Sequence, residues 1–257
     1  MLFELPDVSA SPTQAASAAT VGAMTSAGAT QALGAIYTRA EVVEFILDLV
    51  GYDVSEPLHR RRILEPSFGR GDFLLPIVER LLAAWRNHGG RASLAAEELL
   101  AAIRGVELQR EVFAATRETV LVRLQQEGIP ASVASELVNR WLVQGDFLLE
   151  KQPSDYDFVV GNPPYVRQEL IPPALLTEYR RRYRTMYDRA DLYIPFIERS
   201  LSLLAEDGVL SFICADRWMK NRYGGPLREF IARGFHLQSY IDMVGADAFH
   251  TEVSAYP

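Results

Sequence analysis

The chain of 257 residues has a single cysteine, Cys214, which excludes an intramolecular disulfide and suits a reducing cytoplasm. No Lys or Arg precedes Arg39, and a signal or transit peptide needs basic residues in that region. Residues 1–34, rich in Ala, Ser, Thr and Gly, are therefore predicted as a mobile tail, with a short Ala-rich helix as the alternative. No apolar run is long enough to cross a bilayer. The formal net charge of −7 excludes a general polyanion binder, so any nucleic-acid contact must come from a local basic face. There is no internal repeat and no heptad seam. The one Gly-x-Gly, Gly69-Arg70-Gly71, is not followed by Gly-Lys-Ser/Thr, which argues against a phosphate-binding loop. No metal-binding nuclease motif is evident, and no metal site is expected.

What is present has the composition of a globular protein, 49% hydrophobic and 23% charged. Thr38-Arg-Ala-Glu41 has capping-box spacing, and Val42, Val43, Ile46, Leu47 and Val50 follow at helical intervals up to Gly51. Strands are predicted at 62–64, 103–108, 142–147, 158–161, 209–215 and 237–244. Helices are predicted at 73–85, 94–102, 110–126 and 192–204. Strands alternating with helices imply an α/β fold with a mostly parallel sheet covered on both faces.

In such a sheet, ligands sit beyond the carboxyl ends of the strands. Four strand ends here carry distinct chemistry. Glu65-Pro-Ser-Phe-Gly-Arg-Gly71 places a carboxylate at a strand tip, suited to an ammonium and hostile to phosphate. Gly105-Val-Glu107 offers acceptors for two ribose hydroxyls, and Gly145-Asp-Phe147 sets an acceptor beside a ring, fit for a purine and its amine. Asn162-Pro-Pro-Tyr165 holds an amide oxygen and a ring still, because its prolines cannot join a ladder. Each acidic residue alone is more often a cap or a surface carboxylate. The series matches the polar handles of S-adenosyl-L-methionine.

From Tyr37 onward these motifs, in this order, resemble the N6-adenine DNA methyltransferases of restriction-modification systems, the group that fuses modification with cleavage. Asp191-Leu-Tyr-Ile-Pro-Phe196, Asp207-Gly-Val-Leu-Ser-Phe-Ile213 and Phe249-His-Thr-Glu-Val-Ser-Ala255 fit the family's later segments. The resemblance implies a Rossmann-like class I methyltransferase domain over 35–257, with its last strands missing and a target-recognition domain downstream. It implies that Thr38, Glu65, Gly69 and Gly71 surround the methionine moiety, that Glu107 holds the ribose and that Asp146 holds the adenine amine. Leu108, Phe147, Pro164 and Phe196 would line the adenine pocket. Asn162 and Pro163 would accept the hydrogens of a flipped-out adenine's amine, and Pro164 and Tyr165 complete the catalytic tetrapeptide. Tyr165 and Phe249 would stack on the base; Phe249 is otherwise a core residue and Thr38 a helix cap. The sequence departs from the family at Arg39, at Ser67-Phe68 and at Arg70, whose long cation would crowd or flank the methionine.

Between Tyr165 and Ala190 arginines outnumber acids, with Tyr179, Tyr183 and Tyr187 interleaved. Arg167, Arg181 and Arg182 would track the phosphates of double-stranded DNA. The alternative is a solvated helix whose tyrosine stripe packs inward. Other functions compatible with the tetrapeptide are methylation of RNA or of a protein glutamine. A further alternative is a non-catalytic cofactor- or DNA-binding part of a larger assembly with a nuclease partner.

Overall fold

The computed structural model describes residues 38–243 and 248. Helix α1 (Ala40–Leu49) precedes strand β1 (Ile63–Glu65). Helix α2 (Leu74–Asn87) leads to β2 (Ile103–Glu107), and α3 (Arg110–Gln126) and α4 (Ala131–Trp141) lead to β3 (Leu142–Gln144). Then come β4 (Tyr156–Gly161), α5 (Pro173–Arg182), α6 (Tyr193–Ser202), β5 (Leu204–Phe212) and α7 (Gly225–Gly234). All paired strands run parallel, in the order β3-β2-β1-β4-β5. The chain therefore winds outward from β1 in one direction and from β4 in the other, and the switch point lies between them.

Period-two alternation feeds two cores from one sheet. Ile63, Ile103 and Val160 face a layer containing Leu47 of α1, Leu81 of α2, Leu124 of α3 and Trp141 of α4. Leu64, Val106 and Val159 face the opposite layer, with Tyr179 of α5, Ile194 of α6 and Leu227 of α7. Both faces are dry, which is why these short strands read as continuous apolar runs.

Several expectations are corrected. The Thr38–Glu41 capping box does not form: Arg39 is the N-cap and makes no side-chain cap bond. The Thr38 N–H donates instead to Asp72 Oδ2 at 2.9 Å. The helix expected over 94–102 shrinks to a 3-10 turn, Ala92–Leu94, and one helical turn, Ala95–Glu98. Strand β3 stops at Gln144, leaving Asp146 and Phe147 in a loop; the Gly145 N–H still donates to the Glu107 carbonyl at 2.9 Å, and beyond it the Asp146 carbonyl accepts the Leu149 and Glu150 N–H groups in a turn. Residues 237–243 form no strand; Leu237, Tyr240 and Ile241 are exposed. Val244, like the 1–34 tail and Phe249, lies outside the described residues.

Candidate active site

The carboxyl ends of β1, β2 and β4 and the loop after β3 open into one cleft, partly continuous with solvent. Glu65, the last residue of β1, points into it from an almost fully buried position. The loop that follows turns on Gly69 (φ +51) and Gly71 (φ +94), a left-handed region that a side chain would strain. This turn aims the Gly69 N–H at Glu107 Oε2, 2.9 Å away, while Glu107 Oε1 accepts the Gln109 N–H at 2.7 Å. Glu107 thus ties the β1 and β2 loops together. Beneath them Phe68 lies so close that a Cβ on Gly105 would stand 2.9 Å from its ring.

Asp146 accepts the Leu148 N–H at 2.8 Å and the Tyr179 hydroxyl at 2.5 Å. Phe147 packs against Phe196 of α6 with ring centroids 5.0 Å apart. On the β4 side, Asn162 donates from Nδ2 to Thr38 Oγ1 at 3.2 Å. That bond places Thr38, 124 residues away in sequence, at the tetrapeptide.

The cavity is strongly acidic. Burial, and then the neighbouring Asp72 and Glu107, push the Glu65 carboxyl well above its usual range. Burial also raises Glu107 and Asp146, against the pull of their hydrogen bonds. Glu65 Oε2 is buried with no hydrogen-bond partner, a costly arrangement for an acceptor in a low-dielectric site. Among the described residues no group of His, Cys, Asp and Glu is placed to hold a metal ion.

Of the residues expected at the cofactor, Thr38, Glu65, Gly69, Glu107, Leu108, Asp146, Phe147, Pro164 and Phe196 line this cavity, and so does Asn162. Gly71, Pro163 and Tyr165 are not among the lining residues. Gly71 serves the turn, its N–H bonded to the Phe68 carbonyl at 2.8 Å. Tyr165 donates its hydroxyl to the Ile213 carbonyl at 3.1 Å and sits beside Tyr193. Arg70 lies exposed at the rim and does not fill the floor.

The tyrosine stripe divides. Tyr179 and Tyr183 pack inward and Tyr187 is 44% exposed, while Arg181 and Arg182 both pair with Glu178 and Arg182 also donates to the Leu149 carbonyl at 3.0 Å. Among the lining residues to which the sequence reading gave no role are Asp72 and Tyr179. Asp72 was detectable as a carboxylate directly behind the glycine turn. Tyr179 had only its place in the stripe.

A family model described as Eco57I restriction-modification methylase matches residues 102–249, more than half of the chain. The Type II methyltransferase M.PaeR7I of Pseudomonas aeruginosa is 59% identical over 91% of this chain, and M.XhoI of Xanthomonas vasicola is 51% identical over 87%. The chain spans 41% of the length of each of these relatives. Among solved structures, a protein of Listeria monocytogenes assigned to the class I S-adenosylmethionine-dependent methyltransferases superposes with TM-score 0.53 at 14% identity, covering 86% of this chain and 58% of its own. A nuclease-deletion mutant of the Type ISP restriction-modification enzyme LlaGI, in complex with a DNA substrate mimic, gives TM-score 0.55 at 18% identity, covering 79% and 22%. These two show the fold, a class I methyltransferase sheet. With that fold, the acidic cavity at its switch point and a family match over most of the sheet, the chain belongs to the Eco57I restriction-modification methylase family.

Proposed function

We propose that this chain is the S-adenosyl-L-methionine-binding and methyl-transferring region of a DNA methyltransferase that modifies the exocyclic N6 amine of adenine. Residues 35–257 would form that domain, with target recognition, and any nuclease, supplied by the remainder of a longer protein. The observation that carries the reading is the convergence of Glu65, Asp72, Glu107 and Asp146 with Asn162 on one cavity at the switch point.

The residues fit the cofactor. The buried, unpartnered Glu65 Oε2 suits a methionine ammonium. Each Glu107 oxygen accepts one backbone N–H and keeps acceptor capacity for a ribose hydroxyl. Asp146 stands beside the Phe147 and Phe196 rings, where an adenine amine and face would lie. When bound, S-adenosylmethionine supplies an electrophilic methyl group on a sulfonium.

The remaining work falls to the chain's own groups. The Thr38 hydroxyl receives the Asn162 Nδ2–H, which orients the amide so that its oxygen acts as the acceptor. That oxygen and the Pro163 carbonyl would take the two hydrogens of the target amine, drawing its nitrogen toward tetrahedral geometry and localising its lone pair. Positioning then supplies much of the acceleration. The alkylated amine is acidic and loses its proton late, so no strongly basic side chain is required. The target base must leave the duplex at a cost of roughly a few kcal/mol. Stacking on Tyr165, and on Phe249, would return about 1–3 kcal/mol each.

The test is transfer of radiolabelled methyl groups by the full-length protein, offered DNA, RNA and protein separately. Label recovered from DNA as N6-methyladenine is the expected result. Label in RNA, in protein or on cytosine overturns the substrate assignment. Cofactor binding without transfer to any pool points to a non-catalytic part.

A further inference from the structure

Asp146 stands in the loop after β3, but one of the two donors that fix its carboxylate comes from a helix 33 residues farther on. Tyr179 of α5 donates to Asp146 Oδ2 at 2.5 Å, and the Leu148 N–H donates to Oδ1 at 2.8 Å. Tyr179 is 3% exposed and Asp146 6%. A carboxylate with one donor on each oxygen cannot rotate without breaking a charge-assisted bond. Its plane, and hence the direction of its remaining lone pairs, is set.

Burial and the adjacent carboxylate push the Tyr179 phenol up, so it stays protonated and stays a donor. Its hydrogen bond also works against the burial that raises Asp146. The grip is shared between helices. Tyr183, the C-cap of α5, donates to the Leu148 carbonyl at 2.5 Å. Arg199 of α6 donates to that same carbonyl and to the Tyr183 hydroxyl, both at 2.6 Å, and its guanidinium lies 5.1 Å from the centre of the Phe147 ring. Tyr179 differs from these two in lining the cavity itself.

We propose that Tyr179 is a positioning residue for adenine recognition: it aims the Asp146 carboxylate at the exocyclic amine of the cofactor's adenine. This inference rests on the S-adenosylmethionine reading of the cavity and deepens it. It gives the arginine-rich segment after the tetrapeptide an inward role distinct from any contact with DNA: Arg181 of the same helix is exposed and pairs with Glu178, while Arg182 pairs with Glu178 and also donates to the Leu149 carbonyl at 3.0 Å.

The experiment is calorimetric titration of the full-length protein with S-adenosylhomocysteine and with an analogue whose purine lacks the 6-amino group. Tyr179→Phe keeps the ring and its packing and removes only the hydroxyl. It is expected to weaken S-adenosylhomocysteine about tenfold, as loss of a bond to a charged group implies, and the desamino analogue no more than about threefold. In an Asp146→Ala background, Tyr179→Phe should change neither affinity. Equal weakening of both ligands, or of neither, overturns the positioning role while leaving the cofactor reading intact. An undiminished effect of Tyr179→Phe in the Asp146→Ala background overturns it too. A wild-type protein that binds neither ligand overturns the cofactor reading, and this inference with it.

Discussion

At the scale of single residues, the cavity's chemistry is set by carboxylates held where water would not place them. Glu65 is raised well above 4.5 by burial first, then by Asp72 and Glu107. The folded protein therefore binds that proton more tightly than the unfolded chain does. Stability of the ligand-free protein falls as pH rises from the ordinary carboxylate range through the raised value. A cationic ammonium beside Glu65 reverses the preference, so cofactor binding below that value should release a proton. The binding heat should then vary with the ionisation enthalpy of the buffer, and Glu65→Gln should reduce that dependence and weaken affinity. An unchanged buffer dependence in the variant would remove Glu65 from the ammonium site. Asn162→Ala should lower methyl transfer by about a hundredfold to a thousandfold, the scale of losing a preorganised polar contact. Binding of S-adenosylhomocysteine should stay nearly intact, and full activity in that variant would refute the proposed role. Both carboxylates and amide were legible as residue types at strand ends. Their partners were not: the bonds from Asn162 to Thr38 and from Tyr179 to Asp146 bridge 124 and 33 residues.

At the scale of elements, most helices and strands follow from apolar periodicity, and α3 spans the 110–126 interval its pattern predicted. The misses have physical causes. Helices α4 and α5 are absent from the predicted set; each starts at a proline, Pro130 as the N-cap of α4 and Pro173 as the first residue of α5, a place where proline is well tolerated. Thr38-Arg-Ala-Glu41 has the spacing of a capping box, but Asp72 and Asn162 compete for the Thr38 N–H and hydroxyl and win. The close packing of the β1 loop over β2 gives a stability prediction. In Gly105→Ala the new methyl would lie 2.9 Å from the Phe68 ring and 3.0 Å from Leu142 Cδ2. The sheet leaves little room to yield there, so a loss of about 1–3 kcal/mol is expected, as for other overpacked cores. Denaturant unfolding would measure it, and an unchanged midpoint would show that the Phe68 ring moves aside.

At the scale of the whole molecule, a net charge of −7 leaves DNA attraction to local patches. Arg181 and Arg182 are shared with Glu178, whose carboxyl their hydrogen bonds hold down at about 2, so the group stays ionised through the working pH range. If this outer face of α5 follows a phosphate backbone, replacing both arginines by Glu should weaken DNA binding at low salt. It should also lessen the slope of log affinity against log salt by about 1–2. An unchanged slope would assign the cluster to a solvated helix face. Among the described residues no helix is long and apolar enough to cross a membrane. The chain's 41% share of M.PaeR7I leaves most of that relative's length unmatched, which is where the proposed target-recognition part would belong.

The sequence by itself determined the alternation of strands and helices, the parallel sheet and the kind of group at each strand's carboxyl end. These follow from local pattern: apolar period, turn residues and the side chains set at strand tips. Only the tertiary structure decided which of those groups meet, that Tyr179 turns in toward Asp146 while Arg181 of the same helix stays exposed beside Glu178, and that Thr38 braces Asn162 in place of capping α1. A hydrogen bond across a hundred residues leaves no periodic trace in the chain. Its partners are chosen by where the two faces of the sheet bring their helices.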